Sequence, residues 1–170
     1  LVGQGDGTGH RFSGIGVLPG LLASPVLYVD NLVPGPDLLE LAQYATNKGM
    51  RAVISTNGTL ITKDIAVKLK KIGLSYVGVS LDGLKKTHDR FRGMKGAFER
   101  AIEGIRNCRD AGIKVGLRFT VNKHNLTDVP AMFDLLRKEK IERMCFYHLV
   151  YTGRGSKLRE EDLTHQETRM

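Results

Sequence analysis

Tryptophan is absent and aromatic residues make up only 6% of the chain, so stacking platforms for single-stranded nucleic acid are missing. Long apolar runs are missing too. None approaches the roughly 18 residues of a membrane-spanning helix, and the mildly apolar stretch from Ile15 to Val29 is interrupted by Pro19, Gly20 and Pro25. The expectation is a soluble, cytoplasmic protein with no membrane partner. Cysteine occurs twice, as Cys108 in an expected helix and Cys145 in an expected strand, without CxxC or His/Cys spacing. That excludes a disulfide scaffold and a zinc site and leaves two reduced packing residues. Acidic residues are outnumbered 18 to 26, for a net charge of +8. The basic residues lie on helix faces interleaved with Glu and Asp, as solvated surfaces do, so no nucleic-acid partner is expected.

What is present falls into three stretches. Residues 1–35 carry glycine at positions 3, 5, 7, 9, 14, 16 and 20 with no helix or strand period. They read as an irregular leader, disordered or corrupted by a displaced reading frame. The alternating glycines lack the strand, helix and Lys-Ser/Thr of a phosphate loop. From Pro36 to Gly155 a helix-then-strand unit repeats four times. The spacing predicts strands at 51–55, 76–81, 114–121 and 143–150, with Thr62 capping the second helix and Gly49, Gly73 and Gly112 closing three of them. Residues 156–170 form a polar segment. The chain starts at Leu1 and stops at Met170 inside a charged stretch, and both ends read as cut.

Apolar strands alternating with amphipathic helices indicate an α/β fold, a partial (β/α) barrel with parallel strands covered by helices. Right-handed crossovers send the C-terminal ends of the strands to one edge, where such folds bind ligands. Four unusual loops collect there: Ser55-Thr56-Asn57-Gly58, Ser80-Leu81-Asp82-Gly83, Thr120-Val121-Asn122-Lys123, and the stretch from His148 to Gly155.

In those loops, "STNGTLIT", "VGVSLDG", "HDRFRG", "LRFTVNKHN" and "FYHLVYTGRG" follow one another in order. In this the chain resembles the radical S-adenosylmethionine (SAM) superfamily, and the tail "GRGSKLREEDLTHQETR" is similar to its branch in haem d1 biosynthesis and the alternative haem pathway. The resemblance implies an enzyme using SAM and a [4Fe–4S] cluster, charged by a flavodoxin- or ferredoxin-type electron donor. The reduced cluster would cleave SAM to a 5′-deoxyadenosyl radical acting on a tetrapyrrole; a peptide substrate, as in maturase relatives, is the alternative, and a non-catalytic barrel remnant the other. By resemblance, Ser80 matches the residue holding the SAM ribose, Arg92 the one pairing with its carboxylate, and Leu149 or Val150 the backbone beside adenine. Asn57 and Thr56 would line the cavity, and Tyr147, His148 and Arg154 would meet substrate carboxylates. Asn57-Gly58 also reads as a tight turn, and Ser80 as a turn hydroxyl. The family's CxxxCxxC loop has no counterpart here, and "DNLVPGPD" stands where "GGEPxxRPD" is expected. The chain alone is therefore expected to bind no cluster and to cleave no SAM.

Overall fold

The computed structural model describes residues 13–20, 23–30, 36–151 and 159–169, with side chains from Leu38 onward. Two compact units emerge: Leu1–Ser80 with Arg100–Val115, and Leu81–Glu99 with Gly116–Met170. No described helix is long and apolar enough to cross a membrane.

In the first unit β1 (Ser13–Gly20) pairs antiparallel with β2 (Ala23–Asp30), which runs parallel to β3 (Arg51–Thr56). β3 in turn runs parallel to β4 (Tyr76–Ser80). The expectation of an irregular leader across residues 1–35 is corrected at 13–20 and 23–30, which two strands occupy, while residues 1–12, 21–22 and 31–35 lie outside the described ones. The glycine count hid a short apolar run, Val26-Leu27-Tyr28-Val29, in which valine and tyrosine favour a strand. Pro25 stands before the first residue paired with β3, and Pro19 sits where the β1–β2 register shifts between Leu18 and Gly20. A residue without an N–H is tolerated at a strand start or a bulge.

Helices α1 (Pro36–Asn47) and α2 (Lys63–Lys71) connect the parallel strands. Thr62 caps α2 as expected, its hydroxyl accepting the Ile65 N–H at 3.3 Å. The burial follows the apolar stripes: Ala42 and Ala45 from α1, Ala66 and Leu69 from α2, Ile54 from β3 and Val77 from β4 are all buried. α4 (Ala97–Asp110) adds Ala101, Ile105 and Cys108. Removing a Leu or Ile side chain from water stabilises by about 1.5–3 kcal/mol each, so this stripe is what holds helix to strand.

The second unit contains α3 (Lys85–Arg92), the bulk of β5 (Lys114–Thr120), a 3-10 turn at Leu126–Asp128, α5 (Val129–Glu139) and β6 (Arg143–Tyr147). β5 and β6 are parallel, with Thr120 opposite Tyr147. Leu81, Leu117, Phe119 and Met132 are fully buried apolar side chains of this unit, and Phe119 meets Phe146 edge-on with centroids 5.8 Å apart. The strands end one to three residues before the expected 81, 121 and 150. The remaining residues belong to the loops that follow the strands.

Candidate functional site

Thr56, Asn57 and Ser80 belong to the first unit and stand at one edge of it, because Thr56 lies opposite Val79 in a parallel pair. The turn after β3 consumes much of their polarity. The Thr56 hydroxyl accepts the Gly58 N–H at 3.1 Å, and Asn57 Oδ1 accepts both the Thr59 N–H at 3.0 Å and the Thr59 hydroxyl at 2.9 Å. Thr56 is 1% exposed. The side-chain oxygens of these two residues thus serve the turn, which the Asn-Gly dipeptide signals. Gly58 is fixed by φ of 75° and by Val79, whose Cγ1 would lie 2.8 Å from an added Cβ. Ser80 is half-buried, and its hydroxyl has no hydrogen-bond partner among the described residues.

In the second unit the chain from Leu81 to Gly93 builds a charged cluster around Asp82. His88 is fully buried and its Nδ1 accepts the Asp82 backbone N–H at 3.0 Å. A ring nitrogen that accepts carries no proton, so the proton of the neutral ring is on Nε2. The 3.4 Å approach of Nδ1 to Asp82 Oδ2 is then a meeting of two acceptors and not an ion pair. Nε2 has no partner among the described residues. Arg92 Nε lies 2.6 Å from Asp82 Oδ2. The approach is off the N–H direction, so the contact is an ion pair without an aligned hydrogen bond.

Further contacts fix this turn. Asn125 Nδ2 donates to the Asp82 carbonyl at 3.0 Å and to the Thr120 carbonyl at 2.9 Å, while its Oδ1 accepts the Asn122 N–H at 2.8 Å. Asp128 Oδ2 accepts the Leu84 N–H at 2.9 Å, placing a carboxylate at the start of α3 where the helix dipole favours it. A side chain on Gly83 would bring its Cβ to 2.6 Å from that oxygen.

Arg92 is therefore where the sequence puts a carboxylate-binding residue, but it already faces Asp82. Tyr147 is exposed at the end of β6, with the Arg118 guanidinium 4.7 Å from its ring centroid. His148 is exposed and Leu149 half-buried just beyond the strand. Arg154 lies outside the described residues. Asp82 and His88 were missed as site residues. A signal was available for His88 alone, since His88 and Arg92 are four apart and share one face of any helix formed there.

The cysteines do not fit an iron–sulfur cluster. Burial pushes the Cys108 thiol up to about 12, so it stays protonated at neutral pH, and cluster ligands are thiolates. Cys145, the other, stands on β6. Among the described residues no three of His, Cys, Asp and Glu gather as metal ligands.

The chain matches the radical SAM superfamily over residues 24–136. Fe-coproporphyrin III synthase of Methanosarcina barkeri is 68% identical over 133 residues, which are 78% of this chain and 33% of that protein. Pre-heme d1 synthase of Dinoroseobacter shibae is 44% identical over 133 residues, again 78% of this chain and 33% of that one. The chain thus spans about a third of the length of these relatives. The fold is shared with Streptococcus suis SuiB, crystallised with its precursor peptide SuiA, at TM-score 0.66 and 18% identity over 79% of this chain and 30% of SuiB. Strand, helix and loop order, the partial barrel with parallel strands, and the match over most of the chain lead to one conclusion: this protein belongs to the radical SAM superfamily.

Proposed function

We propose that this chain is the SAM-holding part of the barrel of a radical SAM enzyme acting on a carboxylated tetrapyrrole in haem or haem d1 biosynthesis. The observation that carries the reading is the 68% identity to a coproporphyrin synthase over 133 residues. Ser80 offers the ribose an uncommitted hydroxyl, and Arg92 offers the carboxylate a guanidinium whose terminal nitrogens have no partner among the described residues. The backbone at Leu149 and the carboxamide nitrogen of Asn57 remain for adenine and the neighbouring cavity, with Thr56 supporting the turn. Tyr147, His148 and Arg154 supply substrate contacts, in a chain whose net charge of +8 suits a carboxylated substrate. SAM, when bound, supplies hydrogen-atom abstraction from substrate. The electron it needs comes from a flavodoxin- or ferredoxin-type donor through a cluster whose ligands these 170 residues do not contain. A peptide substrate is the competing reading, since SuiB shares the fold and is seen with a peptide.

The test uses the full-length enzyme containing this segment. Losing a charge-assisted contact costs about 1.5–3 kcal/mol, so Arg92→Ala should weaken SAM binding by roughly ten- to a hundredfold, and Ser80→Ala by less. Calorimetry reads both, and unchanged affinity in both variants removes the assignment. Under anaerobic reduction, release of 5′-deoxyadenosine should depend on a carboxylated sirohaem derivative. Release driven instead by a ribosomally made peptide would replace the tetrapyrrole with the peptide.

A further inference from the structure

Arg92 is the only cation at 4.0 Å or less from the Asp82 carboxylate among the described residues, and the contact is made through Nε rather than through the end of the side chain. A guanidinium has five donors in a fixed plane, and a carboxylate ligand is best taken by two parallel bonds. With Asp82 at Nε, both terminal nitrogens stay available, on a side chain 29% exposed. Asp82 itself is almost fully enclosed and is fixed from two directions, its N–H by His88 Nδ1 and its carbonyl by Asn125 Nδ2. None of these three contacts is needed to close α3, which Gly93 ends in the left-handed conformation with φ of 64°. The cost of leaving His88 Nε2 buried without a partner is also borne here.

We infer that Asp82 is a positioning residue that aims the Arg92 fork at a ligand carboxylate, and that His88, in its Nε2–H form, locks Asp82 in place. The inference rests on Arg92 binding the SAM carboxylate. It adds that the recognition unit is Asp82–Arg92, held by His88, and that a lysine cannot replace the arginine because one ammonium cannot serve both carboxylates in the same geometry.

The measurement is the preference of the full-length protein for SAM over decarboxylated SAM, each by equilibrium dialysis. The unsubstituted protein should prefer SAM by about ten- to a hundredfold. Asp82→Asn should lower that preference by about fivefold or more through the SAM arm alone, leaving the decarboxylated ligand bound as before. Arg92→Lys should lose most of the preference, and adding Asp82→Asn to Arg92→Lys should raise it again, because the freed ammonium can turn to the ligand. This reversal of sign between backgrounds is what a merely structural Asp82 does not produce. His88→Gln, which keeps an acceptor, should retain more preference than His88→Phe.

Equal weakening of both ligands by Asp82→Asn, or the same loss from Asp82→Asn in the unsubstituted protein and in the Arg92→Lys background, would overturn the inference. Equal preference in His88→Phe and the unsubstituted protein would remove His88 from it. Absence of any preference in the unsubstituted protein defeats the prior reading of Arg92, a different result from failure of Asp82 alone. Should Asp82→Asn not fold, as judged by its melting curve, Asp82→Glu carries the test: the longer carboxylate displaces the fork and the preference should again fall.

Discussion

Asp89 binds two elements with one carboxylate: Oδ1 accepts the Phe98 N–H and Oδ2 the Gly96 N–H, each at 2.8 Å, at the start of α4. The Phe98 N–H, then that of Gly96, holds its carboxyl below the ordinary 3.8. A group with a depressed folded value stabilises fully above its unfolded value, and the contribution is lost as pH falls through the folded one. Melting temperature should therefore drop on acidification below about pH 4. Asp89→Asn should lower it at pH 7 and flatten that acid limb, and an unchanged limb would show that the cap contributes nothing. Cys108 makes the opposite point, a group that burial keeps from ionising. Anaerobic reconstitution of the 170-residue chain should leave no iron–sulfur absorbance after desalting. Iodoacetamide near pH 8 should modify half-buried Cys145 while sparing Cys108 until the chain is unfolded. A desalting-stable chromophore lost in Cys108→Ala would contradict both.

At the scale of elements, α4 meets the turn after β3 at Gly104, where an added Cβ would stand 2.1 Å from the Gly58 carbonyl oxygen. Asn107 Nδ2 ties the same helix to the Ile61 carbonyl at 2.8 Å. A clash of Cβ against backbone cannot be relieved by a rotamer change, so Gly104→Ala should cost about 1–3 kcal/mol or more. Gly93→Ala meets nothing within 4 Å and carries only the left-handed penalty of about 1–2 kcal/mol. Urea melts rank the two, and equal costs would mean that α4 can move away from the turn. The same elements show what the sequence discloses. The start of α2 at Thr62 and the end of α4 just before Gly112 were legible, because a cap and a closing glycine flank apolar stripes that repeat at helical spacing. α3 was not, because its buried residue is His88 and the rest is Lys, Arg, Asp, Thr and the exposed Phe91. Arg92 was legible as a candidate through the loop motifs, but its partner Asp82 was not, since an ion pair leaves no period in the sequence.

For the molecule as a whole, the pairing of the first strands decides how far the sheet extends toward the start of the chain. The leader read as irregular because glycine and proline interrupt it, yet β2 lies between β1 and β3, with Val26 to Asp30 paired in register with Arg51 to Ser55. A strand flanked on both sides uses its N–H and C=O groups in ladders, which slows exchange with solvent. The family match also begins at residue 24, inside β2. In register, Asp30 stands beside Ser55, whose buried hydroxyl has no partner among the described residues, so the end of β2 belongs to the same edge as Thr56 and Asn57. Amides of Val26 to Val29 should therefore exchange as slowly as those of Val53 to Ser55 in β3, read by mass spectrometry of the native protein. Complete exchange at 26–29 within seconds, with β3 still protected, would make β3 an edge strand and return the first 35 residues to an unpaired leader.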